Sequence, residues 1–210
     1  MANYRHLKQR VHELDAREWD ISGIRARFER FAREGIPAKP WDKEEIVSRK
    51  SEILDRVQLR AEEYEFLSHS CAIGSALALM EEFGFGSMEI TRAMSPFPGF
   101  AMTGWICGGV TGSLAALGLY FGSDDLTDYT GLTRSMTAAR TFLSRFQEEV
   151  GTILCPTIHE EIVFGRYIDA RANDEEQKAF LDARGHAKCS LLPGIGARIA
   201  AEIIIQDMER

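Results

Sequence analysis

Residues 104–122 read GWICGGVTGSLAALGLYFG and contain no charged side chain. Gly104, Gly108 and Gly112 are four residues apart, so on a helix they form one face where a neighbouring backbone can approach closely. The stretch is almost long enough to cross a membrane. However, its many glycines and the lack of flanking Lys or Arg are more typical of a buried helix. We therefore predict a core helix over residues 105–120 and no membrane span.

Helical spacing of apolar residues continues on both sides of this stretch. Turn signals at residues 35–40, at Gly84 and at Gly151 separate the predicted helices. These helices cover residues 1–35, 42–63, 64–83, 88–94, 105–120 and 132–150, with a short helix opening at Cys155-Pro156 and a last one beginning near Cys189 or Pro193. No run alternates strictly between apolar and polar residues, as half-buried strands do. The sequence predicts an all-α fold, a multi-helix bundle with an N-terminal helical hairpin extension.

Charge divides the chain into two parts. Residues 1–66 hold 14 basic and 14 acidic side chains, whereas residues 67–210 carry the whole net charge of −7. We therefore predict a charged helical extension over residues 1–62 and a four-cysteine helical core domain over residues 63–210. The extension is interpreted as a dimerisation or packing arm, and we expect a homodimer. Because nucleic-acid surfaces are normally basic, the acidic balance argues against a nucleic-acid partner.

The beginning of the chain is highly charged and lacks the apolar segment of a signal peptide. We therefore expect a cytoplasmic protein. Thiols stay reduced in that compartment. The cysteines are thus expected to be free thiols, metal ligands or catalytic groups rather than permanent disulfides.

Four cysteines are the candidate functional residues: Cys71, Cys107, Cys155 and Cys189. Successive cysteines are 36, 48 and 34 residues apart, and the sequence contains no CxxC or CxxCH. This spacing excludes covalent c-type haem attachment, a thioredoxin-like motif and the common zinc fingers. A site that uses all four cysteines must therefore be assembled from four separate parts of the chain.

Three of these cysteines have a histidine within four residues. The pairs are His69 with Cys71, His159 with Cys155, and His186 with Cys189. On a helix, side chains three or four residues apart share one face. Such a pair can hold a metal, or the imidazole can activate the thiol as a base. Histidines are also common in polar segments, so the sequence leaves their roles open.

Cys107 and Cys155 are the candidate catalytic residues. Cys107 precedes Gly108-Gly109, which leaves room for a cluster or a partner thiol to approach. Cys155 precedes Pro156 at a predicted helix N-terminus, where backbone N–H groups favour a thiolate. Cys155 is therefore the candidate nucleophile and Cys107 its candidate partner. The alternative is that the cysteines are buried as small apolar side chains.

The segment Cys107-Gly108-Gly109-Val110-Thr111-Gly112 resembles the CGAxxG motif of the redox-active C-GCAxxG-C-C family, with Gly109 in place of the alanine. Leu117-Gly118-Leu119 and the order of the four cysteines extend the resemblance over residues 62–210. The family is similar to the cluster-bearing core of the split-Soret cytochromes, which are helical dimers that also bind haem. Without a CxxCH, covalent haem is not implied here. The resemblance implies a helical fold in which four cysteines converge to hold an iron–sulfur cluster or to act as redox thiols.

Three functions are open at this point. Four thiolates suit an iron–sulfur cluster for electron transfer, and such a site would also accept zinc. A thiol–disulfide redox enzyme needs an accessible cysteine of low pKa and a resolving partner. A non-enzymatic helical interaction protein would bury its cysteines for packing. We expect the cluster protein, with an unidentified redox partner protein, and leave enzymatic activity undecided.

Overall fold

The protein is represented by a computed structural model that describes residues 4–210, and it confirms the all-α prediction. The first three residues, which belong to the predicted first helix, lie outside this range. No strand occurs in residues 4–210, where one isolated bridge joins Ile106 to Leu154. The helices are α1 (Arg5–Ala16), α2 (Ile21–Glu34), α3 (Lys43–Ser48), α4 (Lys50–Ser68), α5 (Cys71–Phe83), α6 (Met88–Ala93), α7 (Gly99–Met102), α8 (Gly108–Phe121), α9 (Tyr129–Val150), α10 (Cys155–Ile158), α11 (Asp174–Asp182), α12 (Gly185–Cys189) and α13 (Leu191–Met208), with a π-helix (His159–Val163) directly after α10.

Helix α8 packs closely on α5 and α13 because glycines remove side chains from its contact faces. On the α5 side, a side chain on Gly112 would overlap the carbonyl of Ala72. On the α13 side, a Cβ on Gly109 would stand 2.7 Å from the carbonyl oxygen of Leu192. The predicted face of small residues is therefore confirmed for the part of the stretch that is helical, from Gly108 onward.

The segment before α8 corrects the prediction of a helix from residue 105. Gly104 lies in a loop with a φ of 77°. The Cys107 N–H donates to the Ile153 carbonyl, and the Cys155 N–H donates to the Trp105 carbonyl, both at 2.8 Å. These bonds hold the backbone extended, and Trp105 is 63% exposed instead of lying in the core. They also join the segment that contains Cys107 to the segment that contains Cys155.

Helix α13 is almost entirely buried and packs against α4, α5, α8 and α9. With α12 it forms the stretch Gly185–Met208, which by length and composition could cross a membrane. In its most apolar window, 78% of the residues are buried inside the protein. Buried core helices pass the same test, so this is weak evidence for a span, and the absence of one stays a prediction.

The N-terminal region contains more breaks than we predicted. Two helices, α1 and α2, replace the single helix, because Asp20 caps α2 by accepting a hydrogen bond from the Gly23 N–H. Asp42 is the expected cap of the next helix, α3, but that helix ends at Ser48 and α4 follows. Helix α4 continues through residue 62 and packs against α5 and α13. The division into an extension and a core stays a prediction.

The continuous helix predicted over residues 64–83 is broken at His69 and Ser70. His69 has a left-handed φ of 58°, and the Ser70 hydroxyl accepts a hydrogen bond from the Ile73 N–H. A serine at this position caps the next helix by satisfying an N–H that has no partner within it. As a result Cys71 is the first residue of α5 instead of a mid-helix residue.

Candidate redox site

The four cysteines line a single cavity of about 350 Å³, named here the cysteine cavity. They come from α5, the residue before α8, α10 and α12, and all are free thiols. The structure therefore brings together the residues that the sequence singled out: Cys71, Cys107, Cys155 and Cys189. The three candidate histidines, His69, His159 and His186, line the same cavity. Roles for these residues as ligands or catalytic groups stay predictions.

Cys71 and Cys107 lie side by side at the N-termini of α5 and α8. Cys107 immediately precedes α8, and the Sγ of Cys71 lies against Gly108, where any side chain would overlap it. The hydrogen bond with Cys107, together with burial, raises the pKa of Cys71 well above its usual range, whereas the Gly108 backbone N–H opposes this shift. Position 108 therefore requires a glycine for steric reasons, because any side chain there would displace the sulfur of Cys71.

Cys155 and Cys189 face a shared histidine on the other side of the cavity. The Nε2 of His159 lies 3.6 Å from the Sγ of Cys155 and 3.7 Å from that of Cys189. His159 is the first residue of the π-helix, and such irregular turns recur at functional sites. The sequence predicted a face shared by Cys155 and His159, but it gave no sign of the contact with Cys189.

Burial determines which of the side chains of Cys155, His159 and Cys189 carry protons. It raises the pKa of Cys155 to about 12 and lowers that of His159 to about 4. It also raises the pKa of Cys189 well above the usual range. At neutral pH the protons therefore stay on sulfur and the imidazole is neutral. The Nδ1 of His159 makes no hydrogen bond of good geometry within residues 4–210, although the backbone of Ile168 lies near the ring and partly offsets the lowering of the pKa.

Glu65 is a site residue that the sequence analysis missed. It ends in the cysteine cavity, is 3% exposed, and places Oε1 3.4 Å from the Nδ1 of His186. The imidazoles of His186 and His69 stack with their centroids 3.8 Å apart. The sequence did place Glu65 four residues before His69, so that the two side chains share one face of a helix. A Glu and a His at this spacing are common on charged helices, so the pattern does not by itself indicate a site.

Another part of the cavity wall, at Gly99 and Met102, belongs to an unusual backbone segment. All four residues of α7 have positive φ, between 51° and 59°, so this turn is left-handed. For residues other than glycine this conformation costs about 1–2 kcal/mol each. Gly99 faces Cys155, so that a Cβ there would stand 3.8 Å from its Sγ. Strained backbone of this kind is concentrated at functional sites, where the surrounding structure holds it in place.

The side chains of the cavity do not meet at one point. Among the described residues, no group of three or more His, Cys, Asp or Glu stands close enough together to hold a metal ion. A tetrahedral zinc site brings its sulfurs to within roughly 4 Å of one another, because each Zn–S bond is about 2.3 Å. The arrangement is thus a shared cavity with several sulfur donors on its wall, wider than a closed single-ion site.

Comparison with known proteins gives one match. The family described as "putative redox-active protein (C_GCAxxG_C_C)" matches residues 69–203, more than half of the chain. The chain belongs to this family. The matched range contains all four cysteines of this C-GCAxxG-C-C protein, and the family description agrees with the predicted redox activity. No curated protein and no solved structure matches the chain.

Proposed function

We propose that this C-GCAxxG-C-C protein holds an iron–sulfur cluster with Cys71, Cys107, Cys155 and Cys189 and uses it for electron transfer. One observation carries the proposal: cysteines from four separate parts of the chain line one cavity. Cysteine thiolates are the usual ligands of such clusters. A bound cluster would supply one-electron chemistry, which cysteine and histidine side chains do not provide at ordinary potentials.

The donor set fits a cluster better than a single zinc ion. No three donors in residues 4–210 stand at a common point, as zinc requires. A cluster places its own iron and sulfide atoms between the thiolates, which can then stay further apart. Three of the cysteines also stand at or next to helix N-termini, where free N–H groups face negative charge. The cavity thus offers soft ligands and backbone donors around an open volume.

Protonation argues against a nucleophilic cysteine as the main activity. A reactive thiol has a lowered pKa, because the thiolate is the nucleophile. Here burial raises the pKa of Cys155, the candidate nucleophile, to about 12. Its neighbour His159 has a pKa lowered to about 4, so the pair does not form a thiolate and an imidazolium at neutral pH. These thiols would lose their protons on binding a cationic centre, which explains their burial as a group.

The test is an ultraviolet–visible spectrum with iron, sulfide and zinc analysis, on protein purified without oxygen. We expect visible charge-transfer absorbance with stoichiometric iron and sulfide. The variant Cys107→Ala should lose both. Thr111→Ala, one turn further along α8, should keep them and serves as the matched control. A colourless protein that takes up no iron after anaerobic reconstitution would overturn the proposal.

Disulfide exchange between Cys71 and Cys107 is the second candidate function. The observation that favours it is the position of the Cys71 Sγ against Gly108, the residue that directly follows Cys107. Thiol titration of air-exposed protein with and without reductant tests it. A loss of two thiols that is confined to Cys71 and Cys107 and reversed by reductant, in a protein without iron, would favour this function over the cluster.

A further inference from the structure

Glu65 is a buried acid that the proposed function does not use. Oε1 lies 3.4 Å from the Nδ1 of His186, and Oε2 is buried without a hydrogen-bond partner among the residues described. Most buried carboxylates are fully paired, as Glu62 shows one turn earlier on α4. Glu62 is 1% exposed and forms ion pairs with Arg10 and Arg17. An unpaired carboxylate oxygen inside the cysteine cavity therefore needs a different explanation.

His186 connects this carboxyl group to solvent. A surface groove beside the cavity is lined by Ile21, Arg25 and Phe66, and also by His69 and His186. His186 thus lines both the groove and the cavity, with Glu65 on its inner side. The exposed His69 also lines both and stacks on the imidazole of His186. The contact between the Nδ1 of His186 and the Oε1 of Glu65 therefore gives a proton a direct route from groove water to the carboxyl group.

The charge on Glu65 acts electrostatically on the thiols of two cysteines, Cys71 and Cys189. The titratable and charged groups that line the cavity with Glu65 are His69, Cys71, Cys107, Cys155, His159, Tyr167, Asp169, Arg171, His186 and Cys189. Glu65 contributes to the raised pKa values of both Cys71 and Cys189. In the other direction, burial raises the pKa of Glu65, and the hydrogen bond to His186 opposes this shift. Charge in the cavity and the proton on Glu65 are therefore coupled.

This inference rests on the proposed function. We propose that Glu65 takes up one proton whenever the site takes up one electron, and that His186 delivers this proton from the groove. The electron comes from a one-electron donor protein or, in the test, from dithionite. The proton comes from groove water, crosses His186 and ends as the carboxyl O–H of Glu65. Oxidation releases both, so the net charge inside the cavity stays constant.

The pH dependence has a definite sign. An added electron makes the cavity more negative, so the pKa of Glu65 is higher in the reduced protein than in the oxidised protein. At a pH between the pKa values of Glu65 in the oxidised and the reduced protein, the reduced protein holds one more proton. Because reduction then consumes a proton, the midpoint potential falls as pH rises. The limit for one proton per electron is about 59 mV per pH unit. This window lies above the ordinary Glu range, because burial has already raised the pKa of Glu65.

The experiment measures midpoint potential against pH in the reconstituted protein and in Glu65→Gln. A glutamine imitates the protonated acid. The variant should therefore match the wild type at the acid end of the window and have a flat, higher potential at the alkaline end. His186→Gln should move the window to higher pH, because the bond that lowers the pKa of Glu65 is lost. Glu62→Gln, the matched control on the same helix, should keep the wild-type slope.

Two results would overturn the inference: a flat wild-type profile, or the same slope in Glu65→Gln as in the wild type. A second measurement does not need the cluster. Infrared titration of the metal-free protein should show carboxylic-acid absorbance that persists above the ordinary Glu pKa of about 4.3. The part that belongs to Glu65 should be lost in Glu65→Gln, and the part that belongs to Glu149, whose pKa is also raised by burial, should remain. An unchanged band in that variant would overturn the inference, whereas a wild-type protein that takes up no iron overturns the proposed function instead.

Discussion

The two sides of the cysteine cavity are built in different ways. The Cys71–Cys107 side is held by two long helices, α5 and α8, which touch through glycines. The side that holds Cys155, His159 and Cys189 is built from short elements, α10, the π-helix and α12. The first side is therefore fixed by backbone packing that tolerates no added atoms. The second depends on side-chain contacts around one imidazole, and we expect it to tolerate substitution better.

The largest expected effect concerns thiol reactivity on the side built from short elements. With a pKa raised to about 12, Cys155 of the metal-free protein has only a trace of thiolate at pH 8. Its alkylation should therefore be slower than that of an ordinary thiol by about a thousandfold. Mass spectrometry of protein treated with iodoacetamide, with the unfolded chain as the control, measures this ratio. Equal rates in folded and unfolded protein would contradict the structural assignment and favour thiol catalysis.

The next effect tests the glycine packing of the first side. Gly112→Ala places a methyl group into the carbonyl of Ala72 on α5. We expect it to lower the free energy of unfolding by about 3 kcal/mol, as overpacking does. Gly118→Ala is the matched control on the same helix, since nothing lies within 4 Å of an added Cβ there. It should stabilise the protein by about 0.5–1 kcal/mol through helix propensity. Urea unfolding of both variants measures the difference, and similar values for the two would contradict this packing.

A smaller effect tests the buried imidazole of the second side. The pKa of His159 is lowered to about 4 in the folded protein, so folding favours its neutral form. Below the ordinary histidine pKa of about 6.5, the unfolded chain binds a proton at this histidine that the folded protein does not bind. The free energy of unfolding is therefore highest above pH 6.5 and decreases as pH falls towards 4. Between pH 7.5 and pH 4.5 it should amount to about 2 kcal/mol.

Urea unfolding at these two pH values checks the prediction. The variant His159→Gln should lose this part of the acid sensitivity, whereas His12→Gln, which changes an exposed histidine, should keep it. If both variants were to retain the full acid sensitivity, some other group would be responsible, and His159 would not be buried as described.

The sequence predicted the elements that follow general rules, and it missed those that depend on tertiary contacts. Apolar spacing and turn residues identified most helices, and Gly84 and Gly151 end theirs as expected. The break at His69 was missed because Ser70 reads equally well as a helix residue or as a cap. Trp105 was placed in a helix because the backbone bonds between residues 105–107 and 153–155 join distant parts of the chain.

The residues of the site also fall into those that the sequence predicted and those that depend on tertiary contacts. The convergence of Cys71, Cys107, Cys155 and Cys189 was expected from the family resemblance, since no local spacing brings them together. Glu65 was not found, because a glutamate on a charged helix gives no sign that it is buried. The contact between His159 and Cys189 depends on a π-helix and on residues 30 apart in the chain. The homodimer, the cytoplasmic location and the redox partner stay predictions.

Assembly of the cavity from four separate segments also ties cofactor loading to chain folding. A group bonded to all four cysteines would cross-link the chain into loops of 36, 48 and 34 residues. Closing each such loop removes disorder from the unfolded chain and stabilises the folded one by about 4 kcal/mol in the simplest polymer treatment. Oxidative loss of the group would then loosen the whole helical bundle. In a cell, the lifetime of this protein against proteolysis would report the integrity of its redox centre.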